Sequence, residues 1–255
     1  MTKISLIDTH AHYNSFTMND LDHFLVVANN NDDVEKIINI GLDYKTSEEA
    51  ILIGLNNSKF YSSLGIHPLY DGDISELENL YYKYNNDKIV GIGETGIDTN
   101  GNIDAQIDKF INSIKLANKL KLPVIIHACT TKNSSINANR LCIEILKKYT
   151  PLFGFVFHFF QPDLEVLDDI IKLGGYVSVG SNILKETAKK SLEVVRTIPI
   201  ENLLIETDYS FLTNIPNKTG KESFCKICKL RNKEKILMMN QLNQNAQSLF
   251  YKLKK

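Results

Sequence analysis

The segment Asp8-Thr9-His10-Ala11-His12 ends the first apolar run of the chain, and residues two apart on an extended strand face the same side. His10 and His12 can therefore turn inward together, and two neutral imidazoles at that spacing make half of a transition-metal site. Glu94 and Asp208 supply anionic oxygens that can bridge or complete coordination, while His127 and His158 offer a second nitrogen pair. Six donors are more than one tetrahedral cation needs. Two divalent cations a few ångströms apart, whether Mg²⁺, Mn²⁺ or Zn²⁺, use them all. A lone His-x-His proves little, because barrel interiors also hold histidines that are merely hydrogen-bonded. Joint placement of all six groups is the stronger signal.

That placement depends on the elements that carry them. Short β-rich runs begin near Ile4, Lys36, Phe60, Lys88, Leu122, Phe153, Gly175 and Leu203, a spacing that suits one strand plus one helix per unit. Ile103, Ile107, Phe110, Ile111, Ile114 and Ala117 form one apolar helical stripe between two such runs. Thr46 and Glu49 have the spacing of a capping box, which predicts a helix start there. Unbroken apolar runs such as Val124-Ile125-Ile126 suit strands buried on both faces of a parallel sheet.

Eight such units without a linker predict one domain over residues 1–255, a single-domain (β/α)8 TIM barrel of the α/β class. An open doubly wound sheet is the alternative, but the Gly-rich phosphate fingerprint after the first strand is absent. Residues 209–229 carry no convincing helix or strand, so a long basic loop is expected around 209–231. In this arrangement His10, His12, His67, Glu94, Asp98, His127, His158, Glu206 and Asp208 all fall at the carboxyl ends of strands, where barrel enzymes keep their chemistry. Only His23, of six histidines, lies elsewhere, on the first helix, as a surface or packing residue.

Composition bounds the partners. With 43% apolar and 23% charged residues the chain is neither disordered nor collagen-like. Its net charge of −1 excludes a polycation, so any nucleic-acid binding must come from a local patch. The apolar stretch after Lys3 is too short for a signal-peptide core, and the most apolar window, residues 152–160, is far short of the roughly 20 residues a membrane span needs. A cytoplasmic, reduced protein without membrane contact is expected. Four cysteines are too few for a disulfide scaffold. Cys225 and Cys228 read as ordinary thiols, or as half of a zinc site for which Cys129 is the only obvious further ligand.

Taken together the blocks Asp8-Thr9-His10-Ala11-His12, Gly65-Ile66-His67-Pro68, Gly91 to Asp98, Leu122 to His127, Phe157-His158-Phe159 and Leu203 to Asp208 are specific. In this order they resemble the TatD family of metal-dependent deoxyribonucleases, within the amidohydrolase-like barrels. The resemblance implies metal ligands at His10, His12, Glu94, His127, His158 and Asp208. Glu94 would bridge two metals, one held with His10, His12 and Asp208 and the other with His127 and His158. It implies hydrolysis of DNA phosphodiesters, often from a 3′ end, with His67 meeting a phosphate or holding a ligand in place. Three places depart from the family's pattern. Cys129 stands where an arginine is common, His158 is followed by Phe159-Phe160-Gln161-Pro162, and Cys225-Lys226-Ile227-Cys228 occupies a region that usually carries an Asn-Glu-Pro segment.

On this reading Glu94 and Asp208 are the catalytic carboxylates, Asp208 orienting the attacking water or accepting its proton. Asp8, Glu206 and Asp98 are expected to support the ligands, the first two by accepting imidazole N–H groups or, equally, by capping backbone amides. Residues 218–235 hold seven basic and two acidic side chains, an excess that points to a polyanionic substrate, with Lys218 and Lys221 nearest the catalytic face. Phe211 and Phe224 are candidates for base stacking. A hydrolase of a small amide, lactone or phosphoester is the alternative, and a binding protein that merely keeps the metal site is a third.

Overall fold

The computed structural model describes residues 3–15, 18–209 and 218–254. Its eight strands are β1 (Leu6–Ala11), β2 (Val34–Asn39), β3 (Phe60–Leu64), β4 (Ile89–Asp98), β5 (Val124–Cys129), β6 (Phe155–Phe157), β7 (Tyr176–Val179) and β8 (Leu203–Ile205). They lie in sequence order in one sheet, every neighbouring pair parallel. Each begins within two residues of the start expected from sequence. A parallel bridge between Ala11 and Tyr209 brings the last strand back to the first, giving the (β/α)8 barrel.

The helices that return the chain are α1 (Met18–Asn30), α2 (Tyr44–Asn56), α3 (Ile74–Tyr84), α4 (Ile103–Leu120), α5 (Ala138–Lys148), α6 (Leu164–Lys172) and α7 (Lys189–Thr197), followed by α8 (Lys218–Arg231) and α9 (Lys235–Leu249). The stripe expected on α4 packs against the sheet: Phe110, Ile114 and Ala117 are fully buried, with Ile103, Ile107 and Ile111 at their edge. Inside the barrel, Ile7, Ile38, Tyr61, Val90, Ile125, Val156 and Leu204 form one apolar layer with Leu249, Phe250 and Leu253 from the C-terminal segment. Two residues further along β5, and just past β6, stand His127 and His158. Glu206 stands likewise past β8. An apolar floor thus carries a polar layer at the carboxyl end, as parallel-barrel geometry directs.

Two local expectations change. The α2 capping box is formed by Asp43 and Thr46, one turn earlier than Thr46 and Glu49: the Thr46 amide donates to Asp43 Oδ1 at 2.7 Å, and the Asp43 amide donates to Thr46 Oγ1 at 2.9 Å. A carboxylate at the cap position accepts from the free amide more strongly than a hydroxyl, so Asp43 takes the cap. The long loop also shortens, because residues 218–231 form α8. Phe224, Ile227 and Cys228 are buried at i, i+3 and i+4, a stripe that outweighs the weak helix propensity of Thr219, Gly220 and Ser223. This burial also removes Phe224 from the stacking candidates; Phe211 lies outside the described residues.

The polar layer needs close backbone approach. A Cβ at Gly65, just past β3, would stand 2.3 Å from the Glu94 nitrogen and 2.6 Å from the Gly41 carbonyl oxygen. Backbone atoms cannot swing aside as a side chain can, so only hydrogen fits there. Gly65→Ala should lower the melting temperature in a calorimetric scan by roughly 3–10 °C, the usual penalty of overpacking in a chain of this size; an unchanged value would mean that this approach relaxes freely.

Candidate metal centre

Glu94 enters the barrel from the middle of β4, where the strand is made irregular by a register shift between Ile92 and Thr95. Gly93, at φ +138°, lets the chain pass so near β5 that a Cβ would lie 2.3 Å from the Ile125 carbonyl oxygen. The Ser63 hydroxyl donates to the Gly93 carbonyl at 2.5 Å and ties this turn to β3. The result is a buried carboxylate whose two oxygens face two different groups of nitrogens.

Glu94 Oε2 lies 3.3 Å from His10 Nε2 and 3.7 Å from His12 Nε2. These two nitrogens are 3.0 Å apart, and Asp208 Oδ1 stands 3.3 Å from His12 Nε2 and 3.8 Å from His10 Nε2. Glu94 Oε1 lies 2.6 Å from His127 Nδ1, 2.8 Å from His158 Nε2 and 3.6 Å from His67 Nε2. His127 Nδ1 and His158 Nε2 are 3.3 Å apart. All six residues expected as ligands are therefore brought together, with His67 beside them. Asp208 reaches in from a left-handed backbone at φ +52°, a region that aspartate tolerates, and its amide donates to the His10 carbonyl at 2.9 Å.

Electrostatics follow from that crowding. Burial opposes charge on Glu94, yet His158, His10 and His127 outweigh it and hold its carboxyl well below the usual glutamate range. Burial likewise opposes protonation of His158, but Glu94 and Glu206 push its pKa up to about 10. His127 is raised for the same kind of reason, with Asp98, Cys129 and Glu94 outweighing burial. Burial and the neighbouring His158 lower His10, whereas burial drives His67 down to about 4. Carboxylates that hold protons on buried imidazoles will hold a divalent cation in their place.

The donor set fits such a cation. Nitrogen and oxygen ligands at about 2.0–2.2 Å from one tetrahedral ion stand about 3.4 Å from each other, and the separations within each group lie between 2.6 and 3.8 Å. Imidazole with carboxylate suits zinc and its first-row neighbours, and the carboxylates also admit manganese or magnesium.

The supporting acids divide. Asp98 Oδ2 lies 3.1 Å from His127 Nε2, so it fixes the ring whose other nitrogen faces Glu94. Asp98 itself is held through its backbone by Gln106, which accepts from the Asp98 amide and donates to the Asp98 carbonyl. Glu206 accepts from the Phe159 amide and the Ser178 hydroxyl, each at 2.5 Å, and its Oε1 stands 3.7 Å from His158 Nδ1. Asp8 binds no imidazole nitrogen in the hydrogen bonds it makes: it accepts from the Thr207 amide and hydroxyl and from the His10 amide. Its work is to stitch β1 to the segment after β8, the amide-capping alternative. Burial raises its pKa to about 7 while the Thr207 hydrogen bonds oppose the shift.

The basic residues are placed differently from expectation. Lys221 Nζ pairs at 2.9 Å with Asp33, just before β2 and so at the amino end of the barrel, away from the nitrogens and carboxylates above. Arg231 donates to the Arg196 and Ile198 carbonyls at the end of α7. The side chain of Lys218 lies outside the described residues. Helix α8 therefore draws these charges down the barrel wall, a path that loop-like sequence signals concealed. Cys129, which the sequence offered only as a further ligand for a zinc site with Cys225 and Cys228, instead groups with Asp98 and His127 and accepts a contact from Gln161 Nε2 at 3.4 Å. The only sequence signal of that grouping is its place two residues after His127. All four cysteines are free, and among the described residues neither Cys225 nor Cys228 joins a cluster of metal-ligand atoms.

A family model described as TatD related DNase matches residues 7–251. The uncharacterized metal-dependent hydrolase YabD of Bacillus subtilis is 34% identical over 230 residues, covering 87% of this chain and 87% of its own. Deoxyribonuclease Tat-D of Schizosaccharomyces pombe is 31% identical over 207 residues, 74% of this chain and 64% of its own. Among solved structures, the TatD homologue YjjV of Escherichia coli matches with a TM-score of 0.82 at 26% identity, over 96% of this chain and 98% of that one. Among the described residues no helix is long and apolar enough to cross a membrane.

Because His127 and His158 carry raised pKa values in the absence of metal, cation uptake must displace their protons. Apparent affinity for Zn²⁺ or Mn²⁺ should therefore rise with pH from 6 toward about 10, and binding should release protons. Calorimetric titration in buffers of different ionisation enthalpy measures that release; an affinity flat across this range would contradict the protonated rings.

Proposed function

This chain is a metal-dependent hydrolase that belongs to the TatD family, and from that premise we propose that it cleaves phosphodiester bonds of DNA, trimming single strands from the 3′ end. The observation that carries the reading is the Glu94 carboxylate, with one oxygen toward His10 and His12 and the other toward His127 and His158. One shared anion between two nitrogen groups suits a pair of divalent cations. The name of the fission-yeast relative, Deoxyribonuclease Tat-D, supports the choice of DNA.

Bound cations would supply Lewis acidity and bring a water toward ionisation near neutral pH. The rest falls to the chain. His10, His12 and Asp208 would hold one cation and His127 and His158 the other, with Glu94 available to both. Asp208, the outermost carboxylate of the set, orients the water and takes its proton. His67 is neutral, and its Nδ1 accepts from the Leu69 amide at 3.2 Å, so its proton sits on Nε2. That N–H faces the Glu94 side of the cavity and can donate to a phosphate oxygen. Lys132 in the loop after β5, and Lys185 and Lys189 after β7, are exposed cations on the catalytic face. They can attract a polyanion from solution.

One observation favours a smaller substrate: Lys221 and Arg231, from the most basic stretch of the sequence, are engaged away from the centre. A small phosphoester or amide needs no such charges. Ionic strength separates the two, since binding of a single-stranded oligonucleotide should weaken roughly tenfold or more between 50 and 200 mM salt, while a small neutral substrate should scarcely respond.

Asp208→Asn keeps the side-chain shape and the tolerance of a left-handed backbone while removing the charge. Turnover of a 3′-labelled single strand should fall roughly 100-fold or more, with the circular dichroism spectrum unchanged. Wild-type rates in this variant would defeat the assignment of Asp208.

A further inference from the structure

A hydrolase that cuts next to a nucleotide needs something to hold the base, and one side chain at the mouth is built for it. The chain after β3 turns tightly at His67, Pro68, Leu69 and Tyr70: the Tyr70 amide donates to the His67 carbonyl at 2.9 Å and the Leu69 amide to His67 Nδ1 at 3.2 Å. Lys109, from α4, donates to the carbonyls of both Pro68 and Tyr70, anchoring the turn from outside. The backbone beneath Tyr70 is thus tied down at both ends. The residue nevertheless remains 42% exposed.

The position of the Tyr70 ring matters more than the exposure. Its centroid is 5.6 Å from that of His67, edge to face at 81°. His67 in turn lies 4.5 Å from His127, and its Nε2 is 3.6 Å from Glu94 Oε1. Tyr70 therefore stands one ring beyond the proposed phosphate donor, two rings from His127. The edge-to-face contact spends the tyrosine against His67 at one place and leaves ring surface open to solvent. Phe159, past β6 and next to His158, is another partly exposed aromatic residue among those described, but its ring lies over Gly180, where a Cβ would meet it at 3.2 Å. Phe159 packs; Tyr70 does not need to.

We infer that Tyr70 is a stacking platform for the nucleobase adjoining the scissile phosphate, on the turn that presents His67 to that phosphate. The inference rests on the proposal that DNA is the substrate. Every base has a π face, so such a platform holds any of the four and gives grip without sequence preference. His67 and Tyr70 would then divide one nucleotide between them, the imidazole taking phosphate and the phenol ring taking base. Rigidity of the turn keeps the two a fixed distance apart, which lets base binding position the phosphate.

The test gives the metal-loaded enzyme two substrates: a single-stranded oligonucleotide, and the same strand with abasic tetrahydrofuran residues in its last three 3′ positions. Tyr70→Ala should lower kcat/KM on the intact strand roughly tenfold, mainly through KM, and leave the abasic strand within twofold of wild type. Tyr70→Phe should restore the intact-strand rate, because stacking needs the ring and not the hydroxyl. Tyr82→Ala, at a 55% exposed tyrosine on α3 outside the mouth, should behave as wild type on both. Equal losses on both strands, or no loss on either, overturn the platform while leaving the nuclease standing. A wild-type enzyme that carries its metals yet cleaves neither strand overturns the DNA reading, and the platform with it. Metal content equal to wild type in each variant shows that the centre has kept its shape.

Discussion

The centre depends on one buried negative charge. A carboxylate without partners in an apolar barrel would take up a proton, since desolvation disfavours its charged form. Glu94 stays ionised because imidazoles surround it on two sides, and the same charge keeps His127 and His158 protonated when no cation is present. Removing any one group leaves the others with uncompensated charge or unmet hydrogen bonds. The six clustered groups are therefore a unit. Their energetics favour a divalent cation as the species that satisfies all of them at once.

The surrounding fold serves that unit by supplying close contacts that side chains alone could not. Glycines at 65 and 93 let the backbone of β4 run against its neighbours, and the Ser63 hydroxyl holds the turn. At the barrel seam, Asp8 joins β1 to the segment after β8, and the His10 carbonyl receives the Asp208 amide. The hydrogen bonds that close the barrel are thus the ones that bring Asp208 opposite His10 and His12. Below them the apolar layer capped by Phe250 and Leu253 excludes water from the floor, so charge in the layer above is felt at low dielectric.

Much of this was legible in the chain. Apolar runs separated by one helix's length gave eight strands within two residues of their starts, because burial on both faces of a parallel sheet leaves a continuous hydrophobic signature. Histidines and acids at the ends of those runs located the centre. Less legible were features set by partners distant in sequence. Asp8 and Glu206 sit alike, two residues from a presumptive ligand, yet Asp8 meets Thr207 whereas Glu206 meets Ser178, Phe159 and the edge of His158. Lys221 looked like a phosphate contact until α8 formed and carried it to Asp33. Residue type announced the charge in each case and could not announce its partner.

The sequence by itself determined the barrel and which residue types line its carboxyl end, since strand periodicity and hydrophobic burial are local properties that survive without knowledge of neighbours. Tertiary structure alone decided how those residues divide: which oxygen of Glu94 faces which imidazoles, that the Leu69 amide meets His67 Nδ1, and that Lys221 and Arg231 are engaged away from the centre. The physical reason is that hydrogen bonds and ion pairs act over a few ångströms, and residues two hundred positions apart come within that range only when the sheet closes.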